Sequence, residues 1–269
     1  MDGLRGRRAL VTGASSGIGA AIARELAARG ADLIVTARRG DRLEALAAEL
    51  RERHQVRVQT IALDLAEAGA AATLDEATAG EPVDILVANA GAGRFRDFTE
   101  VPWPEQRALL ELDVASLAEL VHRFATRMRA AGRGHILTIG SVLESIPVPR
   151  YATYAAAKAF VRHFSESLAA ELRGSGVSVT CVSPGPTATE FHLTSGGRRA
   201  DLSRRFTMSA ERCARIAVRA MLRRRRHVVP GLAAKLIVLL AWLLPRRLMG
   251  WLVARSLAPR APPTGPPSS

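Results

Sequence analysis

Tyr154 and Lys158 stand four residues apart in a stretch whose apolar residues recur at three and four, so one face of a predicted helix carries both side chains, one turn apart. A phenol of ordinary pKa about 10 is a poor base near neutral pH, and an ammonium beside it favours the phenolate. Such a pair is suited to passing a proton to or from a bound oxygen. The chain holds two tyrosines and two lysines, and a Tyr-x-x-x-Lys pair arises by chance in on the order of one in a hundred sequences of that make-up. Ser141, at the end of the apolar run His135 to Gly140, would hold the substrate oxygen by a hydrogen bond. A serine at a strand end would mean little without the pair.

A different chemistry is carried by Thr12-Gly13-Ala14-Ser15-Ser16-Gly17-Ile18-Gly19, which follows a short apolar strand and opens a helical pattern. Glycines here permit a tight turn and close backbone approach to a pyrophosphate, while the helix N-terminus offers free N–H groups and partial positive charge. The spacing G-x-x-x-G-x-G differs from the common G-x-G-x-x-G, but strand, turn and helix in that order favour a nucleotide site over a plain turn. A cationic nicotinamide bound there would join Lys158 in stabilising a Tyr154 phenolate.

The elements that must position these residues alternate as βαβα, which predicts an α/β fold: a doubly wound parallel sheet (Rossmann fold) in three layers, a single domain with an amphipathic helical C-terminal extension. Strands are expected near Ala9 to Val11, Asp32 to Thr36, Val56 to Leu63, Ile85 to Ala88, His135 to Ile139, Val177 to Val182 and His227 to Val229. Helices are expected over Ile18 to Arg29, Asp41 to Arg53, Trp103 to Ala130, Tyr154 to Leu172 and Ala210 to Arg223. The catalytic domain is expected over 1–230, an apolar and basic helical extension over 231–258, and a disordered Pro-rich tail over 259–269.

With 269 residues, 48% hydrophobic and 23% charged, the chain can bury a full core. Its two cysteines, Cys181 and Cys213, make neither a disulfide framework nor a paired zinc site, so no metal is expected and a reducing, cytoplasmic setting fits. No signal peptide is read at the N-terminus. The net charge of +13 is concentrated from Arg198 onward, where 15 Arg and one Lys face Asp201 and Glu211. That tail also holds the longest apolar run, and no nucleic-acid module signature occurs, so no nucleic-acid partner is expected.

Taken together, these motifs resemble the short-chain dehydrogenase/reductase family over roughly residues 5 to 230. The turn Thr12 to Gly19, the sequence Asn89-Ala90-Gly91 after the fourth strand, Ser141 with Tyr154 and Lys158, and Pro184-Gly185 after the sixth strand agree with the family in order and spacing. The resemblance implies that Tyr154 is the general acid/base, that Ser141 orients the carbonyl or alcohol, and that Lys158 lowers the Tyr154 pKa and holds the nicotinamide ribose. It further implies that Asp64 and Leu65 touch the adenine, that Asn89, Ala90 and Gly91 line the cofactor channel, and that Pro184 to Thr187 contact the nicotinamide side. A substrate lid is implied over about 187 to 208, with Phe191, His192, Leu193 and Phe206. A homodimer or homotetramer through the helices at about 103 to 130 and 154 to 172 is implied as well. One position departs: Asp113 stands where the family usually has Asn, whose backbone carbonyl holds a water of a proton relay to the Lys. The plainer reading of Asp113 is that its charge adjusts the local helix and the Lys158 pKa.

At the end of the second strand an acidic residue would bind the ribose 2′-OH of NAD, and an Arg would accept the 2′-phosphate of NADP. Here the residues are Thr36-Ala37-Arg38-Arg39. They favour NADP(H) over NAD(H), with Arg38 as the main phosphate contact and Arg39 beside it.

The C-terminal segment adds the basic cluster Arg223 to Arg226 and two apolar blocks over Leu232 to Leu257, separated by Pro245-Arg246-Arg247. The uncharged run Leu236 to Leu244 would be about 14 Å long as a helix, against a hydrocarbon core of about 30 Å. Two readings stand equal. One is a pair of interfacial helices, with Trp242 and Trp251 at the headgroups and Arg246, Arg247 and Arg255 toward an anionic membrane surface, peripheral at the inner face. The other is a helix pair that covers the cleft or a subunit interface. The reading as a whole is an oxidoreductase that transfers hydride between NADP(H) and a carbonyl or secondary alcohol of a lipophilic substrate, 3-oxoacyl, steroid or retinoid-like. The alternative is a catalytically weak or inactive nucleotide-binding protein recruited to a membrane surface.

Overall fold

The structure is a computed structural model in which residues 3–191, 195 and 207–257 are described. In chain order its elements are β1 (Arg8–Thr12), α1 (Gly17–Ala27), β2 (Asp32–Ala37), α2 (Gly40–His54), β3 (Val58–Ala62), α3 (Ala70–Ala77), β4 (Ile85–Ala88), α4 (Trp103–Leu110) and α5 (Ser116–Ala130). There follow β5 (Gly134–Ile139), α6 (Ala152–Glu171), β6 (Val177–Val182), the two-residue strands β7 (Thr187–Ala188) and β8 (Met208–Ser209), and α7 (Ala210–Leu222). Last come β9 (His227–Val228), α8 (Leu232–Leu243) and α9 (Arg246–Leu257).

Seven strands form one sheet in the order β3-β2-β1-β4-β5-β6-β9, every neighbouring pair parallel. Helices cover both faces, so the central strands have to be apolar on both sides, and β1 and β4 are buried almost throughout. One face packs Ile22 and Leu26 of α1, Leu43 and Leu50 of α2, and Val218 and Met221 of α7; the other packs Leu74 of α3, Leu120 and Phe124 of α5, and Val161 of α6. The strand order reverses between β1 and β4, which opens a crevice beyond the carboxyl ends of these strands.

The doubly wound fold is as the alternation predicts. Two differences are instructive. The helix expected over 103 to 130 is α4 and α5 joined by a π-helical turn, Glu111–Ala115, in which Asp113 is fully buried. A π-turn inserts one residue into the α-helical repeat and so re-aims a side chain. The short α3 fills the gap between β3 and β4, where the alternation implies a helix whose bounds the sequence does not give, and the helix carrying Tyr154 begins two residues earlier, at Ala152.

In the C-terminal extension α8 ends at Leu243 because Leu244 precedes Pro245 and takes an extended conformation, φ −93° and ψ 146°. Its inner face meets the body: a Cβ on Gly185 would come within 2.9 Å of the Ala234 Cβ, and Met249 of α9 joins the apolar cluster around Tyr154. No helix among the described residues is long and apolar enough to cross a membrane. His192, Leu193 and Phe206, and residues 258–269, lie outside the described residues, as does the side chain of Arg246.

Candidate active site

The glycine turn leaves β1 and enters α1 at the crevice. Gly13 and Gly17 take φ of +65° and +58°, a region that side chains resist. A Cβ on Gly13 would sit 2.8 Å from Asn89 Nδ2, and one on Gly19 would collide with the Gly13 carbonyl oxygen. Those glycines allow the turn to lie directly on the end of β4. Asn89 braces the turn rather than only facing the channel. Its side-chain N–H donates to the carbonyls of Thr12 (2.9 Å) and Gly13 (3.3 Å), and the Thr12 hydroxyl accepts from the backbone N–H of Asn89 and Ala90. Helix α1 has no acidic residue in its first turn, and its N-cap Ser16 makes no side-chain capping bond. The first N–H groups, beside Ile18 and Gly19, are thereby suited to an anion.

Arg39 is the guanidinium at this turn. It donates to the hydroxyls of Ser15 (3.0 Å) and Ser16 (2.9 Å), whereas Arg38 is largely exposed and lies 3.8 Å from Asp64. Asp64 otherwise accepts from the Ala66 backbone, and the Leu65 side chain is buried in the core under α3 and α5.

Across the crevice, α6 presents Tyr154 and Lys158, and Ser141 caps the short 3₁₀ turn after β5. All three side chains are buried. Lys158 Nζ donates to Asp113 Oδ1 at 2.7 Å and to the Ile139 carbonyl at 3.3 Å. Asp113 Oδ2 accepts from the Ala92 backbone at 2.8 Å, and a Cβ on Gly91 would strike Asp113 Oδ1 at 2.7 Å. The Asp113 side chain therefore engages the lysine directly. Burial acts to lower the Lys158 pKa, but the Asp113 carboxylate, by its charge and its hydrogen bond, leads the opposing effects and the net shift is upward. For Tyr154 burial dominates and raises the pKa; Lys158 pulls it down, Asp113 pushes it up, and the hydrogen bond with Ser141 pulls it down. Lys158 by itself pulls the Tyr154 pKa down, but the net direction is upward because the phenol is buried. Tyr154 is therefore a proton-bearing phenol at neutral pH.

Glu144, Phe95 and Tyr151, which sequence reasoning did not single out, complete the site. Glu144, buried, accepts from the Ser141 backbone N–H at 3.1 Å and from the Ser183 hydroxyl at 2.7 Å. The pattern Ser141-x-x-Glu144 is a capping-box signature and was readable as such. Phe95, Tyr151, Tyr154 and Phe191 form a chain of ring contacts with centroids 4.9 to 5.5 Å apart. Pro184 accepts from the Val142 N–H, and the Thr187 hydroxyl donates to the Gly185 carbonyl. No cluster of His, Cys, Asp or Glu fit to hold a metal occurs among the described residues.

A parallel doubly wound sheet with a glycine turn, a tyrosine and lysine one helical turn apart and a serine opposite defines a nucleotide-dependent oxidoreductase. The sequence pattern of the family described as short chain dehydrogenase matches residues 7–197. The chain is 38% identical to sulfoacetaldehyde reductase 2 of Chromohalobacter salexigens, covering 70% of this chain and 75% of that protein. It is 28% identical to the 7beta-hydroxysteroid dehydrogenase of Collinsella aerofaciens, covering 77% and 80%. A solved short-chain dehydrogenase from Sphingobium yanoikuyae in complex with NADPH superposes with a TM-score of 0.79 at 33% identity, over 87% of this chain and 92% of that one. The chain belongs to the short-chain dehydrogenase/reductase family and is an NAD(P)-dependent enzyme of CH–OH and carbonyl groups.

The residues fit that cofactor: Gly13 and Gly19, lacking Cβ atoms, let the turn fold tightly against the end of β4, its donors are backbone N–H groups at the start of α1, and the Arg39 guanidinium stands beside them. Ser15, Ser16, Gly17, Ile18 and Gly19 would hold the pyrophosphate, and Lys158 the nicotinamide ribose.

Proposed function

We propose that the protein reduces a carbonyl of a lipophilic molecule with NADP(H). The observation that carries this reading is Tyr154, a buried phenol whose ring lies in an apolar wall with Lys158 one turn below it, its Nζ 5.5 Å from the ring centroid, and with Ser141 buried close by. The dinucleotide supplies the hydride. Ser141 orients the carbonyl oxygen, and Tyr154 donates the proton to that oxygen as the new alcohol forms. Lys158, held by Asp113, stabilises the phenolate left behind. A phenol that keeps its proton near neutral pH is in the state that donates to the carbonyl oxygen.

A lipophilic substrate is supported by the lining: Phe95, Tyr151, Phe191, Val148 and Met249 surround Tyr154. The likeness to the hydroxysteroid dehydrogenase points the same way, while the likeness to the sulfoacetaldehyde reductase makes a small polar carbonyl the competitor to exclude. The preference for NADP(H) is supported by Arg39 at the turn and by the lack of a carboxylate at the end of β2.

The two readings of the C-terminal helices are compatible. Their inner faces close the cleft, and their outer faces present Leu232, Leu236, Trp242, Trp251 and Leu252, each more than 40% exposed, with Lys235, Arg247 and Arg255 exposed beside them and no acidic residue in either helix. That combination suits an anionic membrane surface, from which an apolar substrate would reach the cleft. Subunits would associate through α4, α5 and α6, where Leu110 and Phe160 are partly exposed.

Oxidation of NADPH, followed as loss of absorbance near 340 nm, tests the substrate class against steroid, retinoid and 3-oxoacyl ketones and against small polar aldehydes. Turnover restricted to the small polar compounds would overturn the lipophilic assignment.

A further inference from the structure

The segment that follows the Pro184-Gly185 turn crosses the crevice from the nicotinamide side to the glycine turn. Thr189 lies against Gly17, where an added Cβ would be 3.1 Å from its methyl carbon. The next residue, Glu190, reaches the guanidiniums at the end of β2 and the start of α2. Arg39 donates to Glu190 Oε2 at 3.0 Å, and Arg42 donates to Oε1 at 2.8 Å and Oε2 at 2.7 Å. The hydrogen bonds from Arg42 and then Arg39 hold the Glu190 carboxyl below its ordinary pKa, so it is a carboxylate throughout the neutral range. Arg39 is thus divided between two sets of acceptors, Ser15 and Ser16 on one side and Glu190 on the other.

We infer that Glu190 sets the cofactor preference of this enzyme, by competing with the 2′-phosphate for Arg39 and Arg42. This rests on the reading that Arg39 stands where a 2′-phosphate would bind. The physical reason is charge count. Two guanidiniums can compensate a phosphate of nearly two negative charges, but a carboxylate already bridging them contributes its own negative charge to the same place. For a ribose 2′-OH the balance reverses: a carboxylate accepts a hydrogen bond from the hydroxyl, the part an acidic residue at a strand end plays elsewhere. Here the acid would come from the segment after β6 and not from β2. Glu190 would therefore hold down the advantage of NADPH and support NADH, so that the discrimination between them is smaller than Arg39 and Arg42 alone would give. All three side chains are partly exposed, which limits the effect by solvent screening.

The test is equilibrium binding, by calorimetry, of NADPH, NADH and 2′,5′-ADP to the full chain and to Glu190→Gln, with Glu190→Ala as a second variant and thermal melts to confirm folding. The expected result is that NADPH and 2′,5′-ADP bind about three- to tenfold more tightly to Glu190→Gln while NADH is unchanged or weaker. An unchanged ratio of NADPH to NADH affinity in both variants would overturn the inference, whatever the parent prefers. A parent that binds NADH the more tightly would overturn the NADP(H) reading alone, and a ratio that still rises in the variants would then keep Glu190 as the determinant. Failure of every variant to bind any of the three ligands would overturn both.

Discussion

Asp113 Oδ1 lies 2.7 Å from Lys158 Nζ, in a pair whose side chains are 0% and 5% exposed. Two charges that far from solvent are stable only together, since an unpaired buried ammonium bears its desolvation cost alone. Asp113→Ala is expected to lower folding stability by about 3 to 5 kcal/mol, measured by urea unfolding at pH 7, with Asp113→Asn less damaging. The sign with pH follows from the raised Lys158 pKa. Its contribution is complete below the unfolded lysine value of about 10.4 and is lost as pH climbs through the higher folded value. The penalty of Asp113→Ala should therefore shrink only in strong alkali.

The same carboxylate faces the proton donor. Asp113 pushes the Tyr154 pKa upward, in the direction burial has already taken it. Alcohol oxidation needs the phenolate, so kcat for oxidation should rise with pH across the alkaline range. In Asp113→Asn the rise should begin at lower pH, because one opposing negative charge has gone. A profile that does not move would detach Asp113 from the proton chemistry.

At the cofactor end, Arg39 and Arg38 are expected to separate. Arg39 is tied to Ser15 and Ser16, whereas Arg38 is 75% exposed. Arg39→Gln should weaken NADPH binding about ten- to a hundredfold relative to NADH, the range for a charge-assisted hydrogen bond. Arg38→Gln should change that ratio far less. Equal losses would restore the two arginines to equal standing.

Membrane association is tested by sedimentation with vesicles. The full chain should co-sediment with anionic phospholipid at low salt, less so at high salt, and the double variant Trp242→Ser, Trp251→Ser should sediment markedly less. Equal and poor sedimentation of both proteins would contradict the proposal, and loss of an oligomer in the double variant would assign the exposed faces to packing between subunits.

The sheet was legible because each strand is a short apolar run and each long helix has a wide apolar stripe. Tyr154, Lys158, Ser141 and the glycine turn were legible because their chemistry depends on spacing along one element. What could not be read depends on distant elements meeting. The π-turn at Glu111–Ala115 sits inside an unbroken helical pattern, and only Lys158 opposite explains why Asp113 is buried there. The choice between Arg38 and Arg39 depends on which way each leaves β2. Glu190 is separated from Arg39 by 151 positions, and no local pattern marks it. The upward Tyr154 shift needed burial, which spacing does not give.

The central claim is that Tyr154 donates the proton, and Tyr154→Phe tests it most directly. The variant and the parent should be titrated with NADPH and then given the best ketone of the panel. Binding of NADPH should be kept and kcat should fall by about 10² to 10⁴. Undiminished turnover in Tyr154→Phe would remove Tyr154 from the mechanism, and a parent that binds NADPH yet turns over no carbonyl would return the protein to a nucleotide-binding role.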